Sequence, residues 1–316
     1  MTMQSGLSEA NILPIGRLLF QVDAWHQALI TPKITEVAWQ AGNYPNGEQW
    51  AQIQTTSQFE TIEVFARFGS TAIPNMPTLA EQVQNVLLLL EAARRQCVHL
   101  KLVLPYMPYS LQDRDARGGD AIAAKVFVKS VEALQVDEVV LLDLHSPRDQ
   151  EYWSIPVTQL SAEDLLIAGI RQMVDTSQTV LLAPDKGAAH RAHQIGEILN
   201  VPVTYLTKVR LGPGQVKIDT SNLDGLEAKH VVLVDDLLNT GGTLIAASQA
   251  LHERDPQVQV YVAITHGLFA NNALEKLRTA HMKRIIMTDS YLGEVNPDDE
   301  LVEILSLREF FSASHV

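Results

Sequence analysis

The sequence predicts an α/β protein of two domains, each with a mostly parallel sheet flanked by helices. Three observations carry this. Short apolar runs alternate with longer amphipathic stretches from about residue 80 onward. Most of the apolar runs end in a polar cluster. The chain has 316 residues, more than one domain usually spans. Strands that alternate with helices imply right-handed crossovers and parallel sheets covered on both faces.

The elements follow in order. "LAEQVQNVLLLLEAARRQ" (Leu79–Gln96) has helical spacing, and "HLKLVLPY" (His99–Tyr106) reads as a strand. Then come "AIAAKVFVKSVEALQV" as helix, "EVVLLDLH" as strand, "AEDLLIAGIRQMV" as helix, "TVLLAPD" as strand and "AAHRAHQIGEILN" as helix. "VPVTYLTKV", "HVVLVDD", "QVYVAITH" and "RIIMTD" are further strands, with "GTLIAASQALHER" and "NALEKLR" as helices among them. The first 75 residues are less regular: "LLFQVDAWHQALI" reads as strand and helix, and "YPNGEQW" (Tyr44–Trp50) as a turn. The domain seam falls within "SPRDQEYWSIPVTQL" (Ser146–Leu160), giving domains of residues 1–155 and 156–295. Each half would hold its own sheet, a loose internal duplication.

Composition narrows the function classes. Lys and Arg number 24 against 37 Asp and Glu, a net charge of −13, which argues against nucleic acid or an anionic membrane as the main partner. Cys97 is the single cysteine, so no disulfide framework exists and a cytosolic location is expected. The first 30 residues carry no basic-then-apolar signal, and no apolar run reaches membrane-spanning length. Hydrophobic residues make up 46%, ample for two cores.

Ligands of open α/β sheets sit at the carboxyl ends of strands. The most informative such end is "VVLVDDLLNTGGTL" (Val231–Leu244), where an apolar strand runs into Asp235 and Asp236 and then a Thr-Gly-Gly-Thr turn. The turn Asn239, Thr240, Gly241, Gly242, Thr243 offers consecutive backbone N–H groups at a helix start, an anion cradle. Carboxylates beside an anion site suit a sugar phosphate: the turn takes phosphate, while the acids meet ribose hydroxyls or Mg²⁺. A lone Gly-Gly turn would read as an ordinary joint; the full order of strand, acids and turn favours a site.

This stretch resembles the diphosphate-sugar motif of the phosphoribosyltransferase fold. Further segments are similar to the ribose-phosphate diphosphokinase (phosphoribosyl pyrophosphate synthetase) family: "LVLPYMPYSLQDRD", "LLDLHSPRDQEYWSIPV", "APDKGAAHRA", "LTKVRLGPG" and "THGLFANNALEKL", in family order over about residues 79–290. The resemblance implies two phosphoribosyltransferase-like domains with the active site between them, and a C-terminal segment, 296–316, that returns to the first domain. It implies a homo-oligomer, a dimer or a hexamer built from dimers. The implied reaction moves a diphosphoryl group from ATP to the anomeric hydroxyl of ribose 5-phosphate with Mg²⁺, leaving AMP.

Residue roles carry over position by position. Lys208 and Arg210, two apart in "TKVRLGPGQVK", share a face if extended, in a stretch whose Pro213 and glycines suggest a loop. The pair matches the family's catalytic lysine and arginine. Asp143 and His145, also two apart at a strand end, match a metal-linked ATP contact, and Asp185 matches another Mg²⁺-associated acid. Lys186 adds charge beside it and Gly187 admits close backbone approach. Gln112, Asp113 and Arg114 match the family's adenine-site stretch, and Tyr44, Asn46 and Glu48 its second part, given by a neighbouring subunit.

His190, His193 and Cys97 read as non-catalytic. Three letters depart from the family: Leu111 stands where it has arginine, and Asn239 and Asn46 stand where it has aspartate. "IQTTSQFETIEV" shows none of its basic regulatory pattern, which speaks against control by phosphate and ADP. Two rival readings follow: the same diphosphotransfer onto another ribosyl phosphate such as ADP-ribose, or a non-catalytic nucleotide-binding partner. Intact Lys208 and Arg210 count against the latter.

Overall fold

A computed structural model of the protein describes residues 12–22, 25–212, 215–224, 228–293, 295–296 and 298–312. The chain forms two compact units. One holds the described residues up to Thr71, then Asn75–Leu160 and the segment from Arg308; the other holds Ala72–Pro74 and Ser161–Leu307.

The first unit runs through β1 (Ile12–Phe20), α1 (His26–Leu29), β2 (Thr35–Glu36) and an antiparallel hairpin, β3 (Trp39–Asn43) and β4 (Gln49–Ile53). It continues through β5 (Gln58–Ala66), α2 (Leu79–Arg94), β6 (Cys97–Leu104), α3 (Ala123–Ala133), β7 (Glu138–Leu142), α4 (Pro147–Glu151) and β8 (Val157–Leu160). Its parallel sheet has the order β2-β1-β5-β6-β7-β8.

The second unit repeats this plan. After α5 (Glu163–Met173) come β9 (Thr179–Ala183), α6 (Ala189–Leu199), β10 (Val203–Tyr205) and a second hairpin, β11 (Thr207–Gly212) and β12 (Gln215–Asp219). Then follow β13 (His230–Leu238), α7 (Gly242–Arg254), β14 (Gln259–Gly267), α8 (Ala273–Thr279), β15 (Met282–Thr288) and β16 (Val302–Leu305). The sheet order is β10-β9-β13-β14-β15-β16. The edge strand, inserted hairpin and four sequential strands thus occur twice. The internal duplication is a matter of topology.

Successive side chains of a strand face opposite ways, so a strand buried on both sides must be apolar throughout. In the second unit Val180, Leu182, Val231, Leu233, Val260 and Val262 build a core with Leu244 and Leu251 of α7 and Leu277 of α8. Their neighbours Leu181, Ala183, Val232, Val234 and Ala263 build a second core with Leu166 and Ile170 of α5 and Ala192 and Ile195 of α6. Continuous apolar runs are therefore required, and they are what made these strands readable.

Elsewhere the structure departs from the sequence reading. β5, β8 and β16 were not anticipated, and the stretch after Arg210 expected as a loop is half of a hairpin. The change of unit falls after Leu160, at the end of the stretch expected to hold the seam and five residues past the boundary drawn at 155. The return to the first unit begins at Arg308, because Val302–Leu305 pairs with β15. α9 (Arg308–Ser312) docks through Phe311, whose ring lies 5.9 Å from Trp25 and 5.0 Å from Phe65. No helix among the described residues is long and apolar enough to cross a membrane.

One row of the first sheet is charged. Glu36, Arg17, Glu63, Lys101 and Glu138 stand in register on β2, β1, β5, β6 and β7, alternating in sign across five adjacent strands. Arg17 and Glu63 are buried, each 4% exposed, and Arg17 Nε donates to Glu63 Oε2 at 2.7 Å. Arg17 Nη1 also donates to the carbonyl of Leu29 at 2.6 Å, while Lys101 reaches Glu138 at 3.1 Å.

Candidate active site

The glycine turn after β13 is set by backbone conformation. Gly241 sits at φ +73, a left-handed value that side chains resist, and a Cβ there would lie 3.3 Å from Leu277 of α8. It occupies the N-cap of α7, and no side chain caps the helix. The start of α7, with no side-chain cap at Gly241, turns its N-terminal dipole toward the glycine turn, which favours an anion there. Asn239 and Leu238 carbonyls accept from the amides of Ala270 and Leu268, which ties the turn to the loop after β14. Phe269, Asn271 and Asn272 in that loop all have positive φ, and Asn tolerates this better than most residues.

The corresponding joint of the first unit, between β5 and α2, is closed. Thr78 and Glu81 form a reciprocal capping box at the start of α2. Gln82, fully buried, accepts from Gly69 N–H at 2.8 Å and donates to the carbonyls of Gly69 and Pro77. Of two topologically equivalent helix starts, only that of α7 lacks a side-chain cap.

Acids gather beside the open turn. Asp235 and Asp236 lie within β13, which runs two residues further than expected because Leu237 and Leu238 pair with His266 and Gly267. Burial first, then the charge of Asp236, push the Asp235 carboxyl well above the ordinary carboxylate range, and Asp185 adds to this. Asp185, after β9, accepts from the amides of Gly187 and Ala188 at 2.9 and 3.3 Å. Lys186 Nζ stands 5.9 Å from the centroid of the Tyr205 ring, a partner for that cation which sequence reading did not single out.

The raised pKa has a stability consequence. A carboxyl that holds its proton more tightly when folded stabilises the fold in full below its ordinary pKa, and that contribution is lost as pH rises through the raised value. Asp235→Asn is therefore expected to be more stable than the parent at about pH 8, by about 0.5–2 kcal/mol, with the gain shrinking toward about pH 4. Melting curves at the two pH values check this, and an unchanged or lower melting temperature at the higher pH would count against it.

Lys208 and Arg210 lie in β11, opposite Ile218 and Val216 of β12. Their side chains fall outside the described residues. Among those residues, no three His, Cys, Asp or Glu side chains group as metal ligands. His190 and His193 are exposed on α6, and Cys97 is buried, its thiol pushed up by burial.

In the first unit β7 ends at Leu142, so Asp143 and His145 lie in the turn beyond it rather than on one strand face. Asp143 is 3% exposed with φ +39, whereas His145 is exposed. The loop after β6 holds Gln112 and Arg114 exposed and Asp113 partly buried. Tyr152, next to α4, donates to the Asp113 carbonyl, and Arg148 approaches its carboxylate at 3.7 Å, joining the loops after β6 and β7. Leu111 is 42% exposed. Tyr44, Asn46 and Glu48 form the tight β3–β4 turn: Gly47 at φ +88 donates to the Tyr44 carbonyl, and Glu48 N–H to Asn46 Oδ1.

Residues 28–134 match the family of the N-terminal domain of ribose phosphate pyrophosphokinase, and residues 158–298 that of the phosphoribosyl transferase domain. A ribose-phosphate pyrophosphokinase from Methanothermobacter thermautotrophicus is 31% identical over 80% of this chain and 85% of its own. One from Pyrococcus furiosus is 32% identical over 84% and 90%. The crystal structure of phosphoribosylpyrophosphate synthetase from Mycobacterium smegmatis superposes with a TM-score of 0.81 over 95% of this chain and 96% of that one. At 22% identity that likeness is one of fold.

Proposed function

The chain belongs to the ribose-phosphate pyrophosphokinase family, and from that premise we propose that it transfers the diphosphoryl group of ATP to ribose 5-phosphate. The observation that carries this reading is the uncapped, glycine-built start of α7 beside three carboxylates. The turn from Asn239 to Thr243 binds the 5-phosphate through backbone N–H groups. Asp235 and Asp236 accept hydrogen bonds from the ribose hydroxyls, which fixes the anomeric oxygen for attack.

In the reaction that oxygen bonds to the β-phosphorus of ATP. The bond from β-phosphorus to the α–β bridging oxygen breaks, AMP leaves with the electron pair, and the anomeric proton is released. Lys208 and Arg210 stabilise charge on the transferring group, Arg210 through its planar fork. The donor set also fits Mg²⁺. The charges of Asp236 and Asp185 oppose ionisation of Asp235, which a divalent ion would relieve, and Mg²⁺ commonly takes one or two carboxylates with the rest of its shell from phosphates and water. Bound there, the ion would neutralise phosphate charge during transfer. Asp185 is proposed as a Mg²⁺ contact of the second unit, and His145 with Asp143, separately, as Mg²⁺-associated residues of the first. Gln112, Asp113 and Arg114, and Tyr44, Asn46 and Glu48, are proposed for the adenine end.

A second acceptor reading rests on Leu111 and Asn239. An exposed leucine and a neutral amide stand where the resemblance implies charged groups, so hydroxyl recognition persists with less charge. Pure protein with Mg-ATP and a panel of acceptors separates the readings. AMP release only with ribose 5-phosphate is the expected result. Release only with ADP-ribose would establish the second acceptor. ATP binding with no AMP from any acceptor would overturn catalysis.

A further inference from the structure

Four polar side chains are buried at the carboxyl ends of β14 and β15: Thr265, His266, Thr288 and Ser290, none more than 2% exposed. They end strands whose middles are apolar, and buried polar groups cost stability unless they find partners. Here they partner one another. His266 Nδ1 and Ser290 Oγ share a hydrogen bond of 2.8 Å. Ser290 Oγ and Thr288 Oγ1 donate to the Thr265 carbonyl at 3.3 and 2.7 Å, and the Ser290 N–H donates to Thr288 Oγ1 at 3.3 Å. Arg191 Nη1, from α6, donates to Thr265 Oγ1 at 3.3 Å.

The backbone connects this network to the glycine turn. His266 and Gly267 pair with Leu237 and Leu238, the last residues of β13. The chain then enters the loop whose Leu268 and Ala270 amides donate to the Leu238 and Asn239 carbonyls at 2.8 and 2.9 Å. That loop is strained: Phe269, Asn271 and Asn272 have φ of 49, 56 and 57, and a bulky aromatic residue rarely adopts such a value. A backbone of this kind persists only where its surroundings over-determine it. Upstream, His266 is held by Ser290, and Gly267 admits no side chain, since a Cβ there would collide with Met287 Sδ and the Phe269 ring. Downstream, Lys276 Nζ donates to the Asn271 carbonyl at 2.7 Å, and Leu277 is the side chain nearest a Cβ at Gly241.

We propose that His266, held by Ser290, is a positioning residue for the sugar phosphate: it sets the loop after β14, and through that loop the turn from Asn239 to Thr243. This rests on the reading of that turn as the 5-phosphate site. At 2% exposed, His266 acts through the backbone rather than by contact. Calorimetric titration of the whole protein with ribose 5-phosphate and, separately, with Mg-ATP tests this, beside AMP release. His266→Leu removes the ring nitrogen, and Ser290→Ala removes its partner. Each should weaken ribose 5-phosphate binding by about tenfold or more, while Mg-ATP affinity stays within about twofold. His266→Asn should restore most of the binding, because its amide can donate or accept where Nδ1 stands. Asn271 is exposed, so Asn271→Val strains the loop at φ 56 and leaves the buried network untouched. It should weaken ribose 5-phosphate in the same selective way, and it tests the loop even where a core variant does not fold.

Equal loss for both ligands is what a merely structural role would give, and it would overturn the assignment. So would ribose 5-phosphate affinity unmoved by Asn271→Val, or His266→Asn as weak as His266→Leu. A parent protein that does not bind ribose 5-phosphate would overturn it too. A parent that binds it, with the expected pattern among the variants, but releases no AMP would overturn the diphosphotransfer reading alone.

Discussion

Lys208→Ala is expected to lower AMP release by at least about a thousandfold while leaving ATP affinity nearly unchanged. The reason is where the charge is needed. The diphosphoryl group carries several negative oxygens, and the chain as a whole carries a net charge of −13. Cations at the reacting phosphorus must therefore be supplied locally. A lysine that meets this charge only as it develops contributes to the transition state and little to ground-state binding. Arg210→Lys should also fall, because a point charge does not reproduce two parallel N–H contacts. Turnover of Lys208→Ala within about tenfold of the parent would remove Lys208 from the site.

What could be read from the sequence follows from burial. β9, β13 and β14 are apolar on both faces because helices cover both, and such runs announce themselves. The joint after β13 was legible for a different reason: glycine suits φ +73 at Gly241 better than any residue with a Cβ, so the turn is written in the letters themselves. β5 was not legible. Glu60 and Glu63 interrupt its apolar run, and Glu63 is buried only because Arg17, 46 residues earlier in the chain, pairs with it. β8, with two exposed positions, and β16, largely half-buried, are too short and too mixed to separate from loop. The hairpin of Lys208 and Arg210 was hidden by its glycines and Pro213, which also suit a loop. The carboxylate cluster of Asp185, Asp235 and Asp236 lies beyond local pattern, since Asp185 reaches it by crossing from β9 to the neighbouring β13.

Glu63→Ala should cost the first unit about 3–5 kcal/mol, the loss seen when one partner of a buried ion pair is removed. The substitution leaves the Arg17 guanidinium, 4% exposed, with the Leu29 carbonyl, which cannot neutralise it. Lys101 would keep Glu138 as its carboxylate, so the damage concentrates on Arg17. Glu63→Gln retains a hydrogen-bond acceptor and should cost less than Glu63→Ala. The double variant Arg17→Met with Glu63→Leu removes both charges together and should recover most of the loss, since well-packed apolar replacements of a buried pair are often neutral or stabilising. All four tryptophans, Trp25, Trp39, Trp50 and Trp153, lie in the first unit, so urea unfolding followed by intrinsic fluorescence reads that unit alone. A Glu63→Ala midpoint equal to the parent's would mean that Arg17 reaches solvent or another acid on losing Glu63. A double variant no better than Glu63→Ala would mean that the row holds the sheet by shape rather than by charge. The expected order, Glu63→Ala least stable and the double variant close to the parent, makes the buried arginine, and not the missing glutamate, the seat of the cost.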